Sequence, residues 1–189
     1  MRRYSMLEIA DGTAVLSGLP RGVVILGKLT SIIQHSETPT IVFLDFAGID
    51  VATSSFIRSA IMGFRDQCVT LKTNNFPVLA NISQDTIDEL KLAIGSQNDG
   101  VFVCELDADD KPSSWQIIGS LDEKQVRTLK AVKTEGEVDA TLLQAKHQEI
   151  ESIGTTAWNN RLTALARKAL LVETKRGRVK RYRSITEFA

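Results

Sequence analysis

The stretch from Thr155 to Ile185 changes its hydrophobic period part-way along, and this change restricts what the end of the chain can form. Its first half carries apolar residues at helical spacing, namely Trp158, Leu162, Leu165, Ala166 and Ala169. This spacing predicts a helix from Thr155 to Leu171 with an apolar stripe that faces a core. The second half has strand-like spacing around Arg176-Gly177-Arg178, which predicts a hairpin from Val172 to Ile185.

The predicted helix carries short polar or cationic side chains opposite its apolar stripe: Thr156, Asn159, Asn160, Thr163 and Arg167. From Thr155 to Ala189 there are nine Lys or Arg residues and two Glu residues, so this end carries a net charge of +7 and the rest of the chain −7. Duplex DNA presents one negative charge per ~1.7 Å of its axis, and a basic hairpin beside a polar helix face is suited to bind it. The alternative is that these cations form an ordinary solvated surface.

The whole chain has the composition of an ordinary globular protein, which limits the other function classes. Its 189 residues have room for one large domain or two small ones. No apolar run is long enough to span a membrane and the first residues lack the apolar segment of a signal peptide, so we expect a cytoplasmic protein. Cys68 and Cys104 lie in apolar surroundings and are expected to be buried. With only two histidines, we expect no metal site and no cofactor.

The chain opens with patterns that predict a hairpin and then a helix. The hairpin would run from Tyr4 to Ile9 and from Thr13 to Leu16, around a turn at Asp11-Gly12. The helix would run from Leu19 to Gln34, with Pro20 in its first turn. Its apolar residues at helical spacing are Val23, Leu26, Leu29 and Ile33.

Strand and helix patterns then alternate. Strands are predicted at Thr40–Phe46, at Pro77–Ile82 and directly after Gly100, and helices lie between them at Ser54–Cys68 and Gln84–Ile94. This alternation predicts an α/β sandwich with a central sheet. The polar, turn-rich segment DADDKPSS then predicts a domain boundary, which gives domains of residues 1–114 and 115–189.

The motif LDFAGIDVATSSFIRSAI, from Leu44 to Ile61, resembles the core of STAS domains, the family of bacterial anti-sigma factor antagonists. In that core a strand ends in Asp, a loop follows, and a pair of serines begins the next helix; the STAS-like branch, with an aromatic residue after the serines, is more similar still. The resemblance implies that Ser54 is the position that a partner kinase phosphorylates. From the residues alone, Ser54 and Ser55 are instead expected to cap the helix, and Asp45 and Asp50 are expected to be structural.

The end of the chain, from Ser120 to Ile185, resembles the winged helix-turn-helix superfamily, because helix patterns at Asp122–Lys133 and Val138–Lys146 precede the terminal helix and hairpin. The resemblance implies that Thr155–Leu171 is the recognition helix in the major groove and that the hairpin is the wing. The residues then expected to read bases are Thr155, Thr156, Asn159, Asn160 and Thr163. Those expected to hold phosphates are Arg161, Lys175, Arg176, Arg178, Lys180 and Arg181. Trp158 is expected to pack in the core.

The leading hypothesis is a bacterial or phage-type transcription regulator, or a similar DNA-binding protein. Its STAS-like domain would be an interaction or sensing module, and its winged helix would bind double-stranded DNA. We favour a homodimer, since such readers pair to match two half-sites. The alternative is a protein-interaction module of the anti-sigma antagonist type, in which the winged helix binds protein and a regulatory protein or kinase contacts the STAS-like domain. An enzyme is not expected, because the sequence has no glycine-rich phosphate loop and no nucleophile paired with a base at a recognisable spacing.

Overall fold

The computed structural model describes residues 1–32, 34–95 and 98–188, which divide into two compact units. Unit 1 comprises Met1–Ser120 and unit 2 comprises Leu121–Phe188. The chain is a mixed α/β protein with a central sheet, as predicted, and the sheet is mainly parallel. The division falls beyond the boundary predicted after Ser114, because the strand that contains Trp115 pairs within the central sheet. Within the described ranges, no helix combines the length and the apolar composition that crossing a bilayer requires.

Unit 1 alternates strands and helices. Its strands are β1 (Arg2–Ser5), β2 (Val15–Leu16), β3 (Thr40–Asp45), β4 (Val51–Ala52), β5 (Asn75–Ala80), β6 (Gly100–Leu106) and β7 (Pro112–Gly119). Its helices are α1 (Met6–Ile9), α2 (Leu19–Ile32), α3 (Ser54–Phe56), α4 (Gly63–Thr70) and α5 (Gln84–Ile94), with a π-helical segment, Ile57–Met62, that joins α3 to α4. The central sheet has the order β1-β3-β5-β6-β7, in which only β7 is antiparallel to its neighbour. Strands β2 and β4 form a separate parallel pair.

The start of the chain does not form the predicted hairpin. Strand β1 lies parallel to β3 instead, and Ser5 caps the short helix that follows, since its hydroxyl accepts a hydrogen bond from the backbone N–H of Glu8 at 3.2 Å. The turn at Asp11-Gly12 has the positive φ angles that a turn needs, 55° and 77°, but it leads to β2, whose partner is β4. The local pattern predicted that the first strand pairs with the next strand in sequence. It pairs instead with the buried strand β3, which is longer than β2 and about forty residues away.

The core of unit 1 lies between the central sheet and its helices. Strand β3 is buried from Ile41 to Asp45, as expected of a strand that is covered on both faces. On the helix side, Val42 and Leu44 belong to one apolar cluster with residues of α2, α3, α4 and α5. On the other side, the indole ring of Trp115 lies 6.3 Å from the ring of Phe43 and 5.8 Å from that of Phe102.

Helix α2 buries part of the predicted stripe: Leu29 is fully buried and Leu26 packs, partly buried, against the core. Val23 was placed on the buried stripe by the spacing, but it is 54% exposed. The buried residues are Gly22, Ile25 and Leu29. Gly22 lies very close to the π-helical segment: a Cβ atom at this position would be 1.8 Å from the Ser59 hydroxyl oxygen. The two helical segments can therefore approach this closely because residue 22 has no side chain. Ile33, the next residue of the predicted helix, lies outside the described residues.

Asp45 ends β3 and connects three segments of unit 1. Its carboxylate accepts hydrogen bonds from Arg3 Nε at 3.0 Å and Nη2 at 2.6 Å, from Asn81 Nδ2 at 2.8 Å and from the backbone N–H of Ala47 at 3.0 Å. Burial alone would raise the pKa of Asp45, but the hydrogen bonds from Ala47, Arg3 and Asn81 outweigh burial and hold the pKa below its usual value. These bonds give Asp45 the structural role that the sequence predicts.

Unit 2 consists of three helices followed by a hairpin. The helices are α6 (Glu123–Glu135), α7 (Ala140–His147) and α8 (Thr155–Arg167), and the strands are β8 (Leu171–Arg176) and β9 (Val179–Ser184), followed by a 3-10 turn, Ile185–Phe188. Asp122 and Asp139 cap α6 and α7, because each carboxylate accepts a hydrogen bond from a backbone N–H three residues further on, at 2.7 and 2.8 Å. Helix α8 ends before the predicted Leu171, since Ala169 adopts a φ of 57° and Leu171 begins β8.

The terminal hairpin forms as predicted. Strands β8 and β9 pair antiparallel in unbroken register from Leu171 opposite Ser184 to Arg176 opposite Val179. The two residues between them, Gly177 and Arg178, make the turn, and Gly177 has a φ of 62°, which glycine adopts without a steric penalty.

The close contact between α2 and the π-helical segment predicts opposite effects for two Gly→Ala substitutions in one helix. Gly22→Ala would place a methyl group 1.8 Å from the Ser59 hydroxyl oxygen and 3.2 Å from the carbonyl oxygen of Phe56, so we expect it to lower the free energy of unfolding by about 1 to 3 kcal/mol. Gly27→Ala is the matched control, because no atom lies within 4 Å of a Cβ there. It should stabilise the helix by about 0.5 to 1 kcal/mol. Urea denaturation measures the unfolding free energy of both variants. Equal changes in the two would contradict the close contact at Gly22.

The hydrogen bonds of Asp45 predict a loss of stability in acid. Because its pKa is lower in the folded chain than in the unfolded chain, the stabilisation is complete above about pH 4 and is lost as the pH falls through the folded value. Asp45→Asn should cost on the order of 2 kcal/mol at neutral pH and should flatten the dependence of the unfolding free energy on pH below about 4. Denaturation of both proteins over a pH series checks this, and parallel curves would contradict it.

Candidate nucleic-acid interface

Helix α8 separates an apolar face from a polar one. Trp158, Leu162 and Leu165 are at most 2% exposed, so Trp158 packs in the core as expected. Along the other side, Thr155, Thr156 and Asn160 are exposed, while Asn159 and Thr163 are half-buried. We call these five residues the polar face. The structure therefore brings together on one surface all five residues that the sequence assigned to base reading.

Thr163 differs from the rest of the polar face because its hydroxyl is already engaged. It lies 3.1 Å from the hydroxyl of Tyr182 on β9, and that hydroxyl donates to the Glu173 carboxylate on β8, also at 3.1 Å. Since Tyr182 has one proton and gives it to Glu173, Thr163 is the donor to Tyr182. Burial raises the pKa of Tyr182, which keeps this proton in place. Thr163 thus anchors the hairpin to α8.

In contrast, the other four side chains of the polar face have no hydrogen bond to any described residue. The side-chain amides of Asn159 and Asn160 and the hydroxyls of Thr155 and Thr156 are therefore available to an outside partner. Each side-chain amide offers one acceptor oxygen and two donor protons, and each hydroxyl offers a donor and acceptor sites. The face can exchange hydrogen bonds with polar groups of either kind.

Arg161 was predicted to hold a phosphate, but the structure gives it a partner within unit 2. Its guanidinium makes two parallel hydrogen bonds to the Glu151 carboxylate, at 2.8 and 2.7 Å, and lies 5.3 Å from the centre of the Trp158 ring. The side chains of Arg161 and Glu151 are only 12% and 18% exposed. The hydrogen bonds from Arg161 lower the pKa of Glu151. This bidentate pair fixes the segment that enters α8 to the body of the helix.

Three of the cations assigned to the hairpin also have carboxylate partners. Lys180 pairs with Glu173 at 3.0 Å, and the hydrogen bond to Glu173 raises the pKa of Lys180. Arg181 pairs with Asp139 at 3.0 Å. Arg176 lies 3.6 Å from Glu137, a longer and more exposed contact. Local patterns could not reveal the pairs of Arg176 and Arg181, because Glu137 and Asp139 lie far from the hairpin in sequence.

Three cations of this region are exposed at the ends of its elements. Lys175 and Arg178 lie at the end of the hairpin, and Arg167 is the last residue of α8. Within the ranges that the structure describes, none of the three forms an ion pair. They are therefore the cations that a polyanion would reach first, whereas the paired ones must first release a carboxylate.

Ser54 and Ser55, the other site singled out by sequence, do not cap the following helix. The N-cap is Thr53, whose hydroxyl oxygen instead accepts a hydrogen bond from the backbone N–H of Gly18 at 3.2 Å. The first free N–H of the helix, that of Ser54, donates to the carboxylate of Glu89. A phosphate on Ser54 would lie beside this negative charge, which opposes it. Ser55 is the exposed member of the pair.

Both cysteines of the chain are buried and form no disulfide. Burial raises the pKa of Cys68 to about 11. Burial, with the nearby charges of Asp45 and Glu105, raises that of Cys104 to about 12, so both thiols stay protonated. Across residues 1–32, 34–95 and 98–188, no group of three or more His, Cys, Asp or Glu side chains is placed to hold a metal ion.

Comparisons with known proteins do not add to this description. No protein-family model matches the chain, and no curated protein matches it significantly.

The pair between Arg161 and Glu151 predicts a measurable coupling energy. In a double-mutant cycle with Glu151→Gln and Arg161→Gln, we expect the two side chains to be coupled by on the order of 1 kcal/mol, because the bonds are bidentate and largely shielded from water. The exposed pair of Arg127 and Glu123 on α6 is the matched control, with an expected coupling below about 0.5 kcal/mol. Thermal or urea denaturation of the variants gives both values. A coupling no larger than that of the control would mean that Arg161 is free to serve elsewhere.

Proposed function

We propose that the chain is a transcription regulator that binds double-stranded DNA through unit 2. In this proposal unit 2 is a winged helix, with α8 as the recognition helix and the hairpin β8–β9 as the wing. Unit 1 is a STAS-like domain that senses a signal or binds a regulatory protein. A homodimer would present two copies of α8 to two half-sites.

One observation carries the proposal: a helix face of short, unengaged polar side chains lies beside a hairpin whose end bears unpaired cations. The bond between Thr163 and Tyr182 holds the hairpin against α8, so the two surfaces are neighbours. Side chains such as Asn and Thr suit base edges in the major groove, and Lys and Arg suit the phosphates that flank it. The succession of three helices and a hairpin supports the same proposal.

The test is a salt titration of DNA binding. Fluorescence anisotropy with random-sequence duplex DNA gives the association constant K across a series of salt concentrations. Each phosphate contact adds about 0.9 to the slope of log K against log salt concentration. The native protein should therefore show a clear slope, and Lys175→Ala/Arg178→Ala should reduce it by about 2.

The matched control is Lys124→Ala/Lys130→Ala. Both lysines are exposed on α6, so this variant loses the same amount of charge from the same unit without changing the hairpin itself. Its slope should stay within error of the native value. If both double variants lower the slope equally, the hairpin does not contact the phosphates. If the native protein does not bind duplex DNA at all, the proposed function fails.

A second candidate function is a protein-interaction module. It is favoured by α2, which exposes 61% of Leu19, 54% of Val23 and 59% of Val24, because apolar side chains grouped on one helix are typical of protein interfaces. Here unit 1 would bind a regulatory protein or kinase, and unit 2 would also bind protein. A native protein that does not bind DNA in the salt titration would favour this candidate over the first.

A further inference from the structure

The side chains of the polar face indicate which base pairs unit 2 recognises. We propose, on the basis of the DNA-binding function above, that α8 reads A·T base pairs in the major groove and has no means of selecting G·C pairs there. The inference depends on which side chains are free on α8 and which are not.

The free side chains have the chemistry of adenine and thymine readers. An Asn side-chain amide can make two hydrogen bonds to the N6 and N7 edge of adenine, and a Thr methyl group can contact the methyl group of thymine. Thr156 and Asn160 are four residues apart, so they lie one above the other on the helix surface. Both are exposed and neither is hydrogen-bonded to a described residue. Thr155 and Asn159 extend the same surface with the same two residue types.

Guanine is read in most complexes by an Arg or Lys that bonds to O6 and N7. Arg161 is the one cation in the first two turns of α8, and the structure commits it to Glu151 by two hydrogen bonds and to the ring of Trp158. Releasing it would leave the Glu151 carboxylate, which is only 18% exposed, without its partner. Arg161, the cation of α8 best placed to contact guanine, is therefore not available to the DNA.

Arg167 is exposed on the same helix but is not suited to the same groove position. It is the last residue of α8, about 10 Å along the axis from Asn160. When the first turns of a recognition helix enter the major groove, its last turn lies near the sugar-phosphate backbone. Arg167 would then bind phosphate and contribute affinity without selecting a base.

The experiment compares three short duplexes of equal length and mixed sequence, built from A·T pairs, from G·C pairs and from inosine·cytosine pairs. Inosine lacks the minor-groove amino group of guanine but keeps O6 and N7. An inosine·cytosine pair therefore resembles G·C in the major groove and A·T in the minor groove. Anisotropy at one fixed salt concentration gives the three dissociation constants.

We expect the A·T duplex to bind at least about fivefold more tightly than the G·C duplex, and the inosine·cytosine duplex to bind like G·C. Asn160→Ala should remove most of this preference. Arg178→Ala should weaken binding to all three duplexes by the same factor and leave the preference intact. Asn160 is exposed, so we expect Asn160→Ala to keep the native melting temperature. An unchanged melting temperature would show that the lost preference does not come from a damaged fold.

Three results would overturn the inference, and they can be told apart. Salt-dependent binding with equal affinity for all three duplexes would leave DNA binding standing and refute A·T reading. An inosine·cytosine duplex that binds like A·T would place the recognition in the minor groove. Binding to none of the duplexes would refute the proposed function together with the inference.

Discussion

Tyr182 connects β9 to three other segments of unit 2. Its backbone N–H and carbonyl both bond to Val138, at 2.8 and 2.9 Å, which ties β9 to the segment before α7. Its hydroxyl group bonds to Thr163 on α8 and to Glu173 on β8. The side chain is fully buried, so these bonds form where water does not compete for them. These bonds help to fix the position of the hairpin relative to α8, and with it the shape of the candidate interface.

The charges of unit 2 fall into two groups that composition does not distinguish. One group is used inside the unit, as in Arg161 with Glu151 and Arg181 with Asp139. The other group, at the end of the hairpin and of α8, is open to solvent. A net charge of +7 at this end of the sequence therefore overstates the charge that is free for a polyanion. The uncharged polar face of α8 is consequently a larger part of the side chains that are free to bind a partner than the net charge suggests.

Sequence patterns predicted the elements whose signals are local. The helix from Gln84 to Ile94 has the predicted bounds, Asp122 caps α6, and Gly177 provides the turn of the hairpin. Each of these depends on a few neighbouring residues, and the polar face of α8 follows from helical periodicity in the same way. The larger errors are non-local, whereas the cap predicted at Ser54 and Ser55 and the end predicted for α8 are wrong by only a few residues. The partner of β1 lies about forty residues away, and Ser59, against which Gly22 of α2 packs, lies almost as far from that helix in sequence. The same holds for Arg161, because only the folded chain brings Glu151 to it.

The carboxylates beside the hairpin affect how long a proposed DNA complex would last. Glu137, Asp139 and Glu173 stay attached to the surface when a phosphate takes their place, so each acts as a tethered competitor at high effective concentration. When a phosphate dissociates briefly from a cation, the neighbouring carboxylate binds that cation before the phosphate can return. Complexes that depend on phosphate contacts alone would therefore dissociate quickly. Long-lived complexes would form only at DNA sites where the polar face also makes hydrogen bonds to the bases.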